Sequence, residues 1–376
     1  MTASWDICIR GGGLVGRTLA LLLSKSPRLR VLLVEQASSA APDVRAYALN
    51  EASRQVLSSV GCWPDSRHAT PVQTMQVWGD TTGQVRFESP TPLGLTTIVD
   101  VPALEDLLDQ AVRQRPNITR QTDPEPATLT IICEGRQSAS RDQLGVEMER
   151  LPYHQHALAC RVRTAQPHRQ QALQWFCATP QGSDIVALLP MDGPDGSVSA
   201  VIWSTSPEHA RALQAMDEAA FNTALQQATH HHLGALNCVS ARAIWPLQLQ
   251  RARTWCGEMA PGQAWVLAGD AAHGIHPLAG QGLNLGLADV AELGRVLART
   301  EAHNHWRALN DRQPLRRYER TRKADMQATW LACDGLQRLF SHPNASVQSV
   351  RNWGLSAFDR CSPVKHWTLK HAMSGQ

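Results

Sequence analysis

Asp6-Ile-Cys-Ile-Arg-Gly11-Gly-Gly-Leu-Val-Gly16, carried on by Leu19–Leu23 and then by Val31-Leu-Leu-Val-Glu35, is the stretch from which the architecture is read. A short apolar run enters a turn that satisfies G-x-G-x-x-G at Gly11, Gly13 and Gly16. A helix follows and stops before Pro27, and the next apolar run ends in an acid. This strand–turn–helix–strand order is the context that gives the glycine motif its meaning. Gly11 permits the tight turn, Gly13 lets a pyrophosphate approach the backbone, and Gly16 lets helix and strand pack closely. Leu14 and Val15 open the helix, whose free N–H groups and dipole favour an anion. Glu35, nineteen residues after Gly16 and followed by Gln36, is placed to accept hydrogen bonds from an adenosine ribose. The stretch predicts dinucleotide binding.

A second segment repeats the theme far downstream. Ala264-Trp-Val-Leu-Ala268 is an apolar run of strand type, followed by Gly269-Asp270-Ala-Ala-His273-Gly-Ile-His276-Pro277-Leu-Ala-Gly280-Gln281-Gly282-Leu283-Asn284. Leu283, Leu287, Val290, Gly294 and Leu297 recur at helical spacing, so a helix is expected from about Gln281. Gly280 and Gly282 let a ligand close to that helix N-terminus, and the Asp270 carboxylate suits hydroxyl donors such as a ribitol chain. One G-x-G-x-x-G excludes a reductase with separate flavin and nicotinamide domains, which should show two. A reduced flavin carries negative charge across N1 and C2=O, so a second helix N-terminus has a use for it.

At 376 residues the chain is long enough for two domains. Hydrophobic content of 43% and charged content of 18% are those of a globular protein, and a net charge of +3 is too small to argue for nucleic acid. No run of about 18 apolar residues suggests a membrane span, and no signal peptide is expected. Nine cysteines, scattered and never CxxC, read as reduced thiols in a cytoplasmic protein, with neither a disulfide framework nor a metal site.

Between the two glycine segments, Arg45-Ala-Tyr-Ala-Leu49 precedes a predicted helix from Glu51 to Val60, and Arg45 is a candidate to face the cofactor. Met75–Phe87 alternates like strands around Gly79–Gly83, Val101–Val112 is helical, and Leu129–Cys133 is another buried strand. From Leu151 to about Trp245 the pattern changes to strands, with one helix expected over Glu208–His232. Three adjacent histidines, His230–His232, cannot share one helix face, so a solvated helix end is expected there rather than a metal site. A helix starting after Pro314 carries Arg316, Arg317, Arg320, Arg322 and Lys323, read as a solvated or interdomain face.

The resulting expectation is an α/β chain: a Rossmann-like FAD-binding domain with an inserted, mainly antiparallel β-sheet substrate domain and C-terminal helices. The division runs 1–70 (FAD-binding), 71–97 (substrate-domain strands), 98–150 (FAD-binding), 151–250 (substrate domain), 251–340 (FAD-binding) and 341–376 (C-terminal helices).

On these residues the chain resembles the flavoprotein aromatic hydroxylases, and within them the ubiquinone-biosynthesis monooxygenases. The likeness spans nearly the whole length and takes in Gly11–Gly16 with Glu35, Gly269–His273, Pro277–Gly286, Leu188-Leu-Pro190 and Arg317-Tyr-Glu-Arg320-x-Arg322-Lys323. The family's middle motif, Asp-Gly-x-x-Ser-x-x-Arg, reads Glu134-Gly135-Arg-Gln-Ser138-Ala-Ser-Arg141, with Glu in place of Asp. The resemblance implies that NAD(P)H reduces FAD, that the reduced flavin takes up O₂ as a C4a-hydroperoxide, and that its terminal oxygen attacks a phenol ring. It places Pro277 against the reactive face of the flavin and amides near Gly282–Asn284 around it. The implied substrate is a prenylated phenol on the way to ubiquinone. No catalytic base can be named; Tyr153, His154 and His156 qualify by chemistry alone. Two alternatives stay open: a hydroxylase of a soluble aromatic, and a catalytically silent flavin-binding subunit of a biosynthetic assembly. The Trp- and cation-bearing segment Val347–Met373 is expected either to pack as a closing helix pair or to contact the inner membrane's periphery or a partner subunit.

Overall fold

The computed structural model describes residues 5–36, 43–79, 83–179, 182–274, 281–303 and 308–341. Pro277, Gly280, His276 and the segment 347–373 therefore lie outside the described residues.

Two layers of sheet hold the chain together. The first has the order Cys256–Ala260, Gln263–Leu267, Ala127–Ile132, Trp5–Arg10, Val31–Val34, Ile118–Gln121. All its pairings are parallel except that of the edge strand Cys256–Ala260. The centres of its inner strands are largely apolar because elements cover both faces: all four residues of Val31–Val34 are buried, as are Ile7, Cys8 and Ile9. The fingerprint helix Leu14–Leu23 and the long helix Gln281–His303 pack against it, sharing one core with Leu287, Val290 and Leu293.

The second sheet has the order His273–Gly274, Ala243–Ala252, Met148–Thr164, Val198–Thr205, Gly182–Met191, Gln171–Thr179, Thr74–Trp78, Gln84–Glu88, with Leu236–Cys238 beside Met148–Thr164. It is antiparallel apart from the pairing of Gln171–Thr179 with Thr74–Trp78. Between the layers a small sheet joins Ala46–Leu49, Thr96–Asp100 and Ala69–Val72. The α/β architecture with a parallel and a mainly antiparallel sheet is the one expected from the sequence.

On one face of the large sheet, Leu158, Leu173, Trp175, Val186 and Trp203 form a core with Phe221 and Leu225 from a helical layer. That layer is two helices, Pro207–Ala215 and Glu218–Ala228, and not the single helix expected over Glu208–His232. Met216 leaves helical geometry with ψ 150°, and Asp217 then caps the second helix by accepting from the Ala220 N–H at 2.7 Å. Beyond its end His230 and His231 sit at positive φ, and His232 rests edge-on against the stacked rings of Trp78 and Trp175. The basic helix, Arg312–Ser341, begins before Pro314 and not after it. A proline in the first turn sacrifices no hydrogen bond, so it does not mark the start.

Candidate active site

The carboxyl ends of three adjacent parallel strands converge on one cavity of about 810 Å³. Trp5–Arg10 delivers Gly13, Ala127–Ile132 delivers Cys133 and Gly135, and Gln263–Leu267 delivers Gly269 and Asp270. Ligands of open α/β sheets gather at such ends. The far wall of the cavity is the face of the large sheet turned away from its helices.

The glycines divide their labour as the fingerprint implies. A Cβ on Gly11, at φ +113°, would lie 2.4 Å from the Cys133 carbonyl oxygen, and one on Gly16 would lie 1.9 Å from that of Gly11. A Cβ on Gly13 would meet nothing within 4 Å. Gly13 is also the N-cap of the fingerprint helix, and no side chain caps it. The first-turn amides are thus left for an anion, beside open space at the cavity wall. Val15 locks the two segments: a Cβ on Gly286 would come within 2.7 Å of its Cγ2.

Of the remaining expected site residues, Leu14, Val15, Arg45, Asp270, Gly282, Leu283 and Asn284 line the cavity. Gln281 opens the helix Gln281–His303. Glu35 stands at the end of its strand, where its carboxylate accepts from Arg17 at 3.0 Å and from Arg120; the exposed Gln36 follows it. The Asn284 side chain is committed within the protein. Its Oδ1 accepts from the Asn50 N–H at 3.0 Å and the Ser53 hydroxyl at 2.7 Å, and its Nδ2 donates to the Ala48 carbonyl at 2.8 Å.

Arg45 lies over the cavity in a bidentate pair with Asp43 and donates to the Tyr47 hydroxyl at 3.1 Å. Burial works against both charges, but the pairing outweighs it, holding Asp43 below and Arg45 above their usual ranges. Nearby Glu105 is pushed up by burial and then by Asp43. Neither Asp43 nor Glu105 stood out in the sequence, where each is one acid among many.

The middle motif folds on itself. The Glu134 carboxylate accepts from the Ser138 hydroxyl at 2.7 Å, the Ser140 N–H at 3.0 Å and the Ser140 hydroxyl at 2.6 Å. Glu therefore fills the acid's place in this turn with three donors satisfied. Buried Arg141 donates to the Ala271 and Arg136 carbonyls, tying this loop to the Gly269–Ala271 turn. Arg136 in turn sets its Nε 3.4 Å from Asp270 Oδ2 at the cavity wall. Tyr153, His154 and His156 all lie on the strand Met148–Thr164, away from the cavity wall.

Beneath the Gly269–Ala271 turn lies a buried network. Asp289 accepts from the Gly269 N–H at 2.8 Å, from His273 Nε2 at 2.6 Å and from Arg322 Nε at 2.8 Å. Trp255 stacks on His273 and the Tyr318 hydroxyl donates to the Leu267 carbonyl. Arg322, read from the sequence as part of a solvated or interdomain face, is only 4% exposed. Its charge is matched by Asp289, which the helical pattern alone does not single out.

Comparison with known proteins decides what binds here. A family model described as FAD binding domain matches residues 4–130 and 119–330. The chain belongs to this family. It is 30% identical to the ubiquinone hydroxylase UbiL of Rhodospirillum rubrum, over 98% of this chain and 89% of that protein. It is also 30% identical to the 3-demethoxyubiquinol 3-hydroxylase of Escherichia coli, over 98% of both. Among solved structures, p-nitrophenol 4-monooxygenase PnpA of Pseudomonas putida shares the fold with a TM-score of 0.76 at 17% identity, over the whole of both chains. The chain is an FAD-dependent aromatic-ring monooxygenase, and the class draws its electrons from NAD(P)H. The open approach at Gly13 and the uncapped helix N-terminus fit the pyrophosphate of FAD.

Proposed function

We propose that this enzyme hydroxylates the ring of a prenylated phenol during ubiquinone biosynthesis. The observation that carries the reading is the sheet-side wall of the cavity. Met75, Phe87, Leu95, Ile98, Ile185 and Leu189 make it apolar over a long span. A wall of this kind suits an isoprenoid tail, because burying its methylene groups is favourable and asks for no polar partner. The two hydroxylases at 30% identity support the same substrate class.

FAD, once reduced by a nicotinamide, supplies the activation of O₂ and the transfer of one oxygen atom to the ring. The protein residues bind and orient. Gly11–Gly16 with Arg45 would hold the pyrophosphate, Glu35 and Gln36 the ribose, and Asp270 the ribitol. Pro277 and the backbone of Gly280–Asn284 would face the flavin ring. The large sheet would close the site against water, which protects the activated oxygen from being wasted. The division of the chain into interleaved FAD-binding and substrate domains is part of this reading. So is a peripheral contact with the membrane in which the substrate dissolves; among the described residues no helix is long and apolar enough to cross one.

Mass spectrometry of quinone precursors in a strain lacking this protein tests the proposal. A prenylated ring short of one hydroxyl should accumulate. An unchanged quinone pool, together with turnover of compact phenols by the purified enzyme, would point to a soluble aromatic substrate instead.

A further inference from the structure

The cavity floor is built from a sheet face with an unusual composition. Residues paired across the strands share a face, so the register assigns it. One rung runs Gln174, Ala187, Ile202, Ala159, Ala243; the next runs Phe176, Ile185, Ser204, Ala157, Trp245. The opposite face carries Leu173, Trp175, Val186 and Trp203, large residues that fill the core beneath the helices. Of these, Ala187 and Ala243 reach the cavity, and their small side chains leave a hollow on the side turned away from the helices.

Two polar side chains stand in this hollow. Gln174 and Ser204 both line the cavity. Neither side chain has a hydrogen-bond partner among the described residues, although Ser204 is only 4% exposed. Several other polar side chains of the cavity wall are paired within the protein: Arg45 with Asp43, Tyr47 with Arg45, Thr96 with the Leu49 carbonyl, Asn284 with Ala48 and Ser53. Both side chains open onto the cavity with hydrogen-bonding capacity that the chain leaves unused, so a ligand in the hollow can take it up. Gln174 and Ser204 flank Ala187 and Ile185, two strand spacings apart (roughly 10 Å) and one rung apart (about 7 Å) along the strands. That gap accommodates one aromatic ring.

We infer that Gln174 and Ser204 recognise the oxygen substituents of the substrate ring, seating it in the alanine hollow while the apolar wall takes the rest of the molecule. The assignment makes them specificity-determining residues, and it rests on the aromatic-substrate reading above. The amide both donates and accepts, and so does the hydroxyl, so each can serve a phenol or an ether oxygen.

The test uses the FAD-loaded enzyme and four probes: a prenylated phenol, the same prenylated ring without its hydroxyl, and the two corresponding compact rings. Binding is followed by the perturbation of the flavin absorbance. Gln174→Leu should weaken the phenols by roughly 3- to 10-fold, the size of one neutral hydrogen bond, and leave the deoxy rings unchanged. Ser204→Ala should act in the same direction, and Ser204→Thr should restore binding. Equal weakening of phenol and deoxy ring in both variants would show a packing role and overturn the inference, as would no weakening at all. Compact and prenylated phenols that bind the wild type equally, both weakened by Gln174→Leu, would sustain these residues while removing the prenyl tail. If no probe perturbs the wild-type flavin, the substrate reading falls and the inference falls with it.

Discussion

The carboxylate of Asp289 accepts a hydrogen bond from His273 Nε2 at 2.6 Å, with both side chains buried beneath the turn that carries Asp270. A carboxylate can only accept, so the imidazole proton sits on Nε2. Asp289 also holds the Gly269 N–H, and Arg322 completes the group by bonding Asp289 and the Leu285 carbonyl. One acid thus fixes the start of the Gly269–Ala271 turn relative to two long helices. Asp289→Ala leaves buried Arg322 with only the half-exposed Asp325, 2.9 Å from its Nη1, as counter-charge, and the loss should be about 3–5 kcal/mol. Chemical denaturation should show it, with reduced flavin content at purification. A denaturation midpoint equal to that of the wild type would remove Asp289 from this role.

The same residue sets an acid limit. Burial opposes the Asp289 charge, but His273 and Arg322 outweigh it and hold the carboxyl below its ordinary 3.8. A depressed pKa contributes stability that is complete above the unfolded value and lost as pH falls through the folded one. Stability from this group should therefore be constant from neutral pH down to about 4 and decline below it. Urea midpoints across that range, compared with Asp289→Asn, should show a shallower acid limb in the variant. Parallel limbs would assign the acid loss to other carboxylates.

The alanine hollow predicts a steric separation of substrate from cofactor. Ala187 lies on the floor between Gln174 and Ile202, and it faces the large sheet's side of the cavity. Ala187→Phe should cut phenol turnover by roughly tenfold or more, since the added ring occupies the substrate's volume. Flavin content should stay at the wild-type level. Loss of flavin in a folded variant would mean that the hollow belongs to the cofactor.

Cys238 differs chemically from the other cysteines among the described residues. A hydrogen bond from the Cys160 thiol, opposed by burial and helped by the Ser240 backbone and the Arg242 charge, lowers its pKa to about 6. Cys133 and Cys160 are shifted upward, and Cys256 is pushed up to about 12 chiefly by burial. At pH 7 Cys238 should be mostly thiolate and should alkylate first with iodoacetamide, as peptide mapping would show. Faster labelling of Cys177, which is also half-buried, would contradict the assignment.

What was legible in the sequence was local. The fingerprint places Gly11, Gly13 and Gly16 within one turn, and buried parallel strands announce themselves as short apolar runs such as Val31–Val34. The Asp289 network was not legible, because an acid beside Val290 fits the polar side of an amphipathic helix. Its partners stand 16 and 33 residues away and meet only when the helix Arg312–Ser341 packs down. Gln174 and Ser204 were hidden for a related reason. Both faces of their strands are buried, so alternation cannot say which face meets the helices and which meets the cavity. The break at Met216 was readable in principle, since Asp217-Glu218 is a capping signal inside the run taken as one helix.

The fingerprint glycines yield the sharpest contrast between folding and binding. A Cβ on Gly16 would sit 1.9 Å from the Gly11 carbonyl oxygen, so Gly16→Ala must push helix from strand at a cost of about 1–3 kcal/mol. A Cβ on Gly13 would touch no protein atom within 4 Å, so Gly13→Ala should fold with an unchanged denaturation midpoint. Its added methyl would instead occupy the open space beside the uncapped helix N-terminus, where the pyrophosphate is proposed to bind. Flavin affinity should therefore fall by roughly tenfold or more, equivalent to about 1.4 kcal/mol. Apoprotein prepared from each variant, titrated with FAD by fluorescence quenching and unfolded in parallel, separates the two effects. Tight flavin binding by a stable Gly13→Ala protein would place the pyrophosphate somewhere other than this turn.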